Sequence, residues 1–256
     1  MAAIDSSGIG SIGGAANNLS QALELASQSV KRLSSALEIN QAADDPAGLA
    51  ISETLRAEVR ELNRTMMNAM DEASMLQVAD SGMGEITGAL QNVRELTVQA
   101  GNPILTDSDR ATIQEQINAE LEHAETVAQT TEFNTKTLLM GELGGDMSTG
   151  ALGIAGVDVT TPEAAGEALG MVGGAIEQVG AFRAELGARQ NELISTMRST
   201  AVAAENTLAA ESRIRDLDYA QEVTNSLRAQ LLAQASAGAL AQANLQSSAV
   251  LSLLSD

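Results

Sequence analysis

From Ile9 to Leu37 the apolar residues are Ile9, Ile12, Ala16, Leu19, Leu23, Ala26, Val30, Leu33 and Leu37, and the steps between them alternate three and four. That is the spacing of a coiled-coil seam, and it commits the segment to a helix that must lay one stripe against another helix. Gly8, Gly10, Gly13 and Gly14 lie in the same stretch. Each costs about 1 kcal/mol relative to alanine in a helix interior. A lone helix in water rarely offsets its nucleation cost, so pairing has to supply the stability.

The pattern recurs down the chain. Leu55, Val59, Leu62, Met66, Ala69, Ala73 and Leu76 form a second seam, continued in a shifted phase past Gly82 and Gly84 by Met83, Ile86, Leu90 and Val93. Gly101 and Pro103 stop it. Thr106, followed three residues later by Asp109, predicts a capping box that opens a helix with Ile113, Ile117, Leu121 and Ala124 on its apolar face, ending near Thr130. The stretch "GALGIAGVDV" alternates weakly and predicts short strands. Thr161-Pro162-Glu163 opens a further helix carrying Val172, Ile176, Val179, Leu186, Leu193 and Met197 to about Leu208. The last helix carries Leu227, Leu231, Ala235, Leu245, Ala249 and Leu253, with Gly238 inside it. Two phenylalanines, one tyrosine and no tryptophan are too few aromatics for an ordinary globular core of 256 residues. The expected fold class is mainly α, with long coiled-coil helices from both chain ends and a short β-hairpin region in the middle.

Between the first two seams stands "NQAADDPAGLA". Asp45 is placed to N-cap the second helix, and Pro46 sits at its first position, where the missing N–H costs nothing. Residues 40–45 then form a joint between two rods, with Asp44, Asp45, Pro46 and Gly48 as its candidate residues. "AAESRIRDLDYAQEV" is the matching candidate joint near the other end.

The net charge of −20 is unevenly distributed. Residues 1–43 set Lys31 and Arg32 against Asp5, Glu24 and Glu38; residues 212–256 set Arg213, Arg215 and Arg228 against Asp216, Asp218, Glu222 and Asp256. Each end is nearly neutral and the middle is strongly acidic. This balance argues against nucleic acid or anionic lipid as a partner. Near-neutral ends can pack against copies of themselves, while the acidic middle belongs in solvent. Leu19, Leu23, Val30, Leu33 and Leu37 are therefore expected to pack on Leu227, Leu231, Leu245 and Leu253, both within one chain and between copies. Such a polymer needs heterologous contacts that do not close into a ring.

Nothing in the chain points to catalysis, a cofactor or a metal. "GIGSIGG" matches a dinucleotide-binding pattern but lacks the preceding strand and parallel sheet. His123 is the only histidine and has no second ligand at metal-site spacing. Arg213 and Arg215 read as helix-surface ion-pair partners, and Met66, Met67, Met70, Met75 and Met83 as gap-fillers. With no cysteine, no disulfide or thiolate site is possible. The first basic residue is Lys31, so the N-terminus does not read as a secretory signal. No apolar run is long enough to span a bilayer.

"LSSALEINQAADDPAGLAISE", "FNTKTLL", "AELGARQNEL", "AAESRIRDLDYAQEV" and the terminal "VLSLL" resemble bacterial flagellin over roughly 1–140 and 175–256. The resemblance implies a motility filament built from copies of the chain, outside the cell, with export that leaves no cleaved signal peptide. It implies an inner-tube layer from 1–44 and 211–256 and a surrounding helical layer from 45–140, which includes a hairpin, and 162–210. Only 141–161 occupies the place of the family's variable outer domains. "NQAADDPAGLA" corresponds to the spoke between the two layers. The implied partners are the flagellar export apparatus, a flagellin chaperone, the filament cap and the hook–filament junction proteins. The family's "FNG" is Phe133-Asn134-Thr135 here. The family's immune-receptor patch resembles "QRVRELAVQ": Gln91, Val93, Arg94, Glu95, Leu96, Val98 and Gln99 match, Asn92 replaces an arginine, and Gln116 stands where the patch has a glutamate. Two alternatives remain: a hook–filament junction protein, and a cytoplasmic signalling coiled coil of the chemoreceptor type, whose Ala/Gln/Glu heptads look similar but which has no use for a central β patch.

Overall fold

The computed structural model describes the backbone of residues 6–255 and the side chains of 13–246 and 248–249. Among the described residues, five helices and one two-stranded sheet follow in the order α1 (Ser6–Ser35), α2 (Pro46–Ala100), α3 (Asp107–Thr130), β1 (Glu132–Phe133), β2 (Lys136–Thr137), α4 (Pro162–Arg215) and α5 (Tyr219–Ser255). The fold is mainly α, and its only sheet among these residues pairs β1 with β2 antiparallel. Contacts divide the chain into two compact units, one of Met1–Glu61 with Ala203–Asp256 and the other of Leu62–Val202. The division falls inside α2 and inside α4.

In the second unit one core gathers Leu76, Met83, Ile86, Leu90 and Val93 of α2, Ile113, Ile117 and Leu121 of α3, and Val172, Val179 and Leu186 of α4. The phase shift near Gly82 does not break α2. A Cβ at Gly82 would sit 2.6 Å from the Thr131 hydroxyl and 3.0 Å from a Leu139 methyl. Glycine is there because the segment after α3 passes against the helix backbone. Helix α3 starts as expected: the Thr106 hydroxyl accepts from the Asp109 N–H at 3.2 Å, and the Asp109 carboxylate accepts from the Thr106 N–H at 3.0 Å. Helix α4 is capped by Thr161, whose hydroxyl accepts from the Ala164 N–H, and runs on to Arg215, past the expected end near Leu208.

The "GALGIAGVDV" strands do not form. Leu152, Ile154, Val157 and Val159 are all buried, but turns and irregular chain carry them. The N–H groups of Leu152, Ile154 and Val157 donate to backbone carbonyls a few residues earlier, and side chains take the place of a partner strand for Val157 and Val159. The Gln114 amide donates to the Val157 carbonyl at 2.9 Å and accepts from the Val159 N–H at 2.8 Å. The Glu125 carboxylate accepts from the N–H and hydroxyl of Thr149. Weak alternation here reports burial without pairing.

The hairpin turn Asn134-Thr135 has φ of 51° and 66°. Two positive φ values at the centre of a two-residue hairpin fit a type I′ turn, which favours Asn-Gly. Asparagine tolerates this region, but a β-branched threonine is strained in it. Thr135→Gly is therefore expected to stabilise the chain by about 1 kcal/mol, the relief of strain exceeding the entropy that glycine loses on folding. Urea unfolding followed by circular dichroism checks this; a lower midpoint for the variant would show that Thr135 is not strained.

Candidate assembly surfaces

Helices α1 and α5 pack against each other within the first unit. The faces they use are lined mostly by small residues. On α1, Ala22 and Ser29 are buried, with Leu19, Ala26 and Leu33 half-buried beside them. On α5, Glu222, Ser226 and Ala229 are buried and Ala233, Ser236, Leu240 and Ala243 half-buried, in steps that alternate four and three without exception. Small side chains at such positions let two helix backbones approach closely.

The large apolar residues of the expected seam point elsewhere. Leu23 is 56% exposed, Val30 56%, Leu227 55%, Leu231 66% and Leu245 64%. The in-chain half of that expectation is corrected: these five side chains do not hold α1 to α5. Each helix carries an apolar stripe wider than one seam, and the alanine-serine half makes the in-chain contact. Leu19 and Leu33 lie on the edge shared by both halves. Leu37 is not on α1, because the helix ends at Ser35 and Ala36 turns the chain with a φ of 56°. The side chain of Leu253 lies outside the described residues. The strict three-four rhythm of mostly small residues from Glu222 to Ala243 was present in the sequence as a signal, masked by the larger apolar residues beside it. A cleft of about 230 Å³ opens beside the contact, lined by Leu25, Ser29, Arg32, Glu222, Arg228 and Leu232 among others.

The joint is built by backbone pairing. Leu37 and Asp216 form an antiparallel bridge, with the Glu38 N–H donating to the Arg215 carbonyl at 2.8 Å and the Leu217 N–H to the Ala36 carbonyl at 3.2 Å. The second segment read as a joint therefore clasps the residues just before the first, 36–38. Asp44 accepts from the Gln41 and Asn40 N–H groups, each at 3.0 Å. Asp45 caps α2 by accepting from the Ala47 N–H at 3.0 Å, with Pro46 as the first helical residue. Gly48 is buried: a Cβ there would lie 2.7 Å from an Ile39 methyl and against the Asp45 carboxyl. At the other strand of the clasp, the Asp218 carboxylate caps α5 by accepting from the Gln221 N–H. The Arg215 guanidinium reaches Glu53 at 2.8 Å, and Arg56 reaches the same oxygen at 3.0 Å.

These contacts make the joint acid-sensitive. The Gln41 and Asn40 N–H groups hold Asp44 below its ordinary value of 3.8, and the bonds from Arg215 and Arg56 hold Glu53 below 4.5. Both folded values lie below the unfolded ones, so the stabilisation is complete above the ordinary carboxylate range and is lost as pH falls through the depressed values. The melting temperature of the joint is expected to be flat from neutral pH to about 5 and to fall below about 4. Thermal melts across that range check it, and an Asp44→Asn chain should lose part of the acid-dependent drop.

The patch on α2 divides. Gln91, Arg94 and Glu95 are exposed and Leu96 is half-buried, but Val93 is fully buried in the core. Asn92 donates to Glu120 of α3 at 3.4 Å. His123 is exposed on α3. Among the described residues no group of three or more His, Cys, Asp or Glu side chains converges on a metal position, and no helix is long and apolar enough to cross a membrane.

The family model described as bacterial flagellin N-terminal helical region matches residues 13–143, and that described as bacterial flagellin C-terminal helical region matches residues 169–254. The flagellar filament 33 kDa core protein of Treponema phagedenis is 36% identical over 261 aligned residues, covering 89% of this chain and 91% of that protein. The flagellins of Halalkalibacterium halodurans and Bacillus subtilis are each 37% identical, covering 93% of this chain and 94% and 95% of their own lengths.

Proposed function

Because this chain belongs to the bacterial flagellin family, and is accordingly a structural subunit of the extracellular flagellar filament and not an enzyme, we propose how its surfaces divide the work of assembly. The alanine-serine faces of α1 and α5 hold the two chain ends together within a subunit. The exposed leucine and valine stripes flanking them, Leu23, Val30, Leu227, Leu231 and Leu245, are covered by neighbouring subunits. The observation that carries this is their exposure on helices already paired with each other. Apolar stripes of this size are unusual on a surface that stays in water.

In this reading 1–44 and 211–256 form the inner tube, 45–140 and 162–210 the surrounding layer, and 141–161 a short connecting segment. Asp44, Asp45, Pro46 and Gly48 fix the angle of the spoke between layers. The export apparatus, a chaperone, the cap and the junction proteins are the proposed partners, and export is proposed to proceed without a cleaved signal peptide. The junction-protein and chemoreceptor alternatives are not favoured, since relatives that match over 89% and 93% of the chain carry filament and flagellin names.

The chain has no cysteine, so single thiols report burial cleanly. Leu231→Cys is expected to react with a thiol reagent in the monomer and to be protected in the polymer. Ala22→Cys is expected to be protected in both. Reactivity of Leu231→Cys in polymer at the monomer rate would place that stripe in solvent and overturn the division.

A further inference from the structure

Methionine clusters in the middle of α2: Met66, Met67, Met70 and Met75 fall within ten residues, and Met197 lies on α4. The packing there is thin. Among residues 62–75 only Ala69 is buried, and among 187–202 only Thr200. From Leu76 onward α2 instead buries one large side chain after another, Leu76, Met83, Ile86, Leu90 and Val93. Helix α4 runs beside α2 at this point: the Arg183 guanidinium donates to Asp80 at 2.9 Å, and Met75 and Leu193 pack against one core. Met67 and Met70 are 54% and 50% exposed, whereas Met66, Met75 and Met197 are half-buried. A stretch with few buried apolar contacts opens locally at lower cost than a packed core. Leucine would fill the same space with little loss of packing. What the thioethers add is a sulfur lone pair that accepts an oxygen atom.

The chain works outside the cell, where oxidants reach it from the surroundings. We propose that the methionines of 66–75, with Met197, form an oxidation-sensitive site for two-electron oxidants of the peroxide class. In each step the thioether sulfur takes one oxygen from the peroxide. The O–O bond breaks, the S–O bond forms, and the second oxygen leaves as water with both protons. The sulfur is oxidised by two electrons and the peroxide is reduced by two. Met67 and Met70 react first, from solvent. Met66, Met75 and Met197 follow when the stretch opens, and a polar sulfoxide in place of an apolar side chain keeps it from repacking. Met140 and Met171 are 40% and 37% exposed but lie outside this stretch, so their oxidation leaves it as it was. Met83, fully buried in the core, is protected. The site belongs to the single chain and does not depend on contacts between copies.

The test is mild hydrogen peroxide treatment of the purified, unpolymerised full chain, followed by peptide mass mapping and amide exchange. The treated chain is then reduced with a pair of methionine sulfoxide reductases, one for each sulfoxide epimer. Met67 and Met70 should gain oxygen at least about tenfold faster than Met83. As Met66, Met75 and Met197 follow, amide exchange at 62–75 should rise about fivefold or more, with exchange around Leu90 and Ile117 unchanged. Reduction should restore the original exchange. A chain carrying Met66→Leu, Met75→Leu and Met197→Leu should still oxidise at Met67 and Met70, yet keep its slow exchange at 62–75. Oxidation of Met83 at the rate of Met67 overturns the site. Failure of Met66, Met75 and Met197 to oxidise, unchanged exchange once they have, or an equal rise in the triple variant overturns the loosening.

Discussion

A chain carrying Leu231→Asp is expected to stay folded as a monomer and to form no filament. Leu231 is 66% exposed on α5, so in the monomer the aspartate is solvated and costs little beyond a small loss of helix propensity. Polymerisation buries the stripe, and an unpaired carboxylate there costs about 3–5 kcal/mol per subunit. At about 1.4 kcal/mol per tenfold, that raises the critical concentration by two orders of magnitude or more. The contrast is Ala229→Asp two residues away on the same helix. Ala229 is 4% exposed against α1, so the same charge there should separate α1 from α5 in the monomer and reduce its helical signal. Leu33, half-buried on the edge shared by both faces, would confound the two effects. Circular dichroism and sedimentation of both variants decide the matter. Normal filaments from Leu231→Asp would mean that its stripe stays in water.

Gly48→Val should unlatch the joint. The space its side chain needs is filled by Ile39, which is 5% exposed, and by the carboxyl of Asp45. Overpacking of this kind costs about 1–3 kcal/mol. Displacing Asp45 from the Ala47 N–H removes a helix cap worth about 1 kcal/mol more. The expected result is faster amide exchange at 36–45 and 213–218, the two segments that clasp each other, with protection of the core around Leu90 and Ile117 unchanged. Gly48→Ala should do the same to a smaller degree. Unchanged exchange in the clasp would show that Ile39 can move aside at no cost.

Much of this architecture was legible from local chemistry. The Thr106–Asp109 box, the Asp45 cap with Pro46 behind it, and the helix start at Pro162 are interactions among residues within a few positions of one another. Their geometry is set by the helix itself. At Asn134-Thr135 only the family resemblance marked the position, as a place where the family has glycine, and it did not show that both residues keep positive φ without one. The clasp of Leu37 with Asp216 joins segments far apart in sequence, and nothing in either one names the other.

What the sequence alone determined is the class of object: long paired helices, nearly neutral ends, an acidic middle, and joints where aspartate, proline and glycine interrupt the pattern. Heptad spacing is a property of one helix, so one helix suffices to reveal it. What only the tertiary structure decided is which half of each apolar stripe the chain keeps for itself. Leu23 and Ala22 are neighbours in sequence, as are Val30 and Ser29, and either pair satisfies the three-four rhythm. The choice depends on how closely the partner backbone approaches. Alanine and serine permit the closer approach and so close the in-chain contact, leaving the bulkier leucines and valines turned outward.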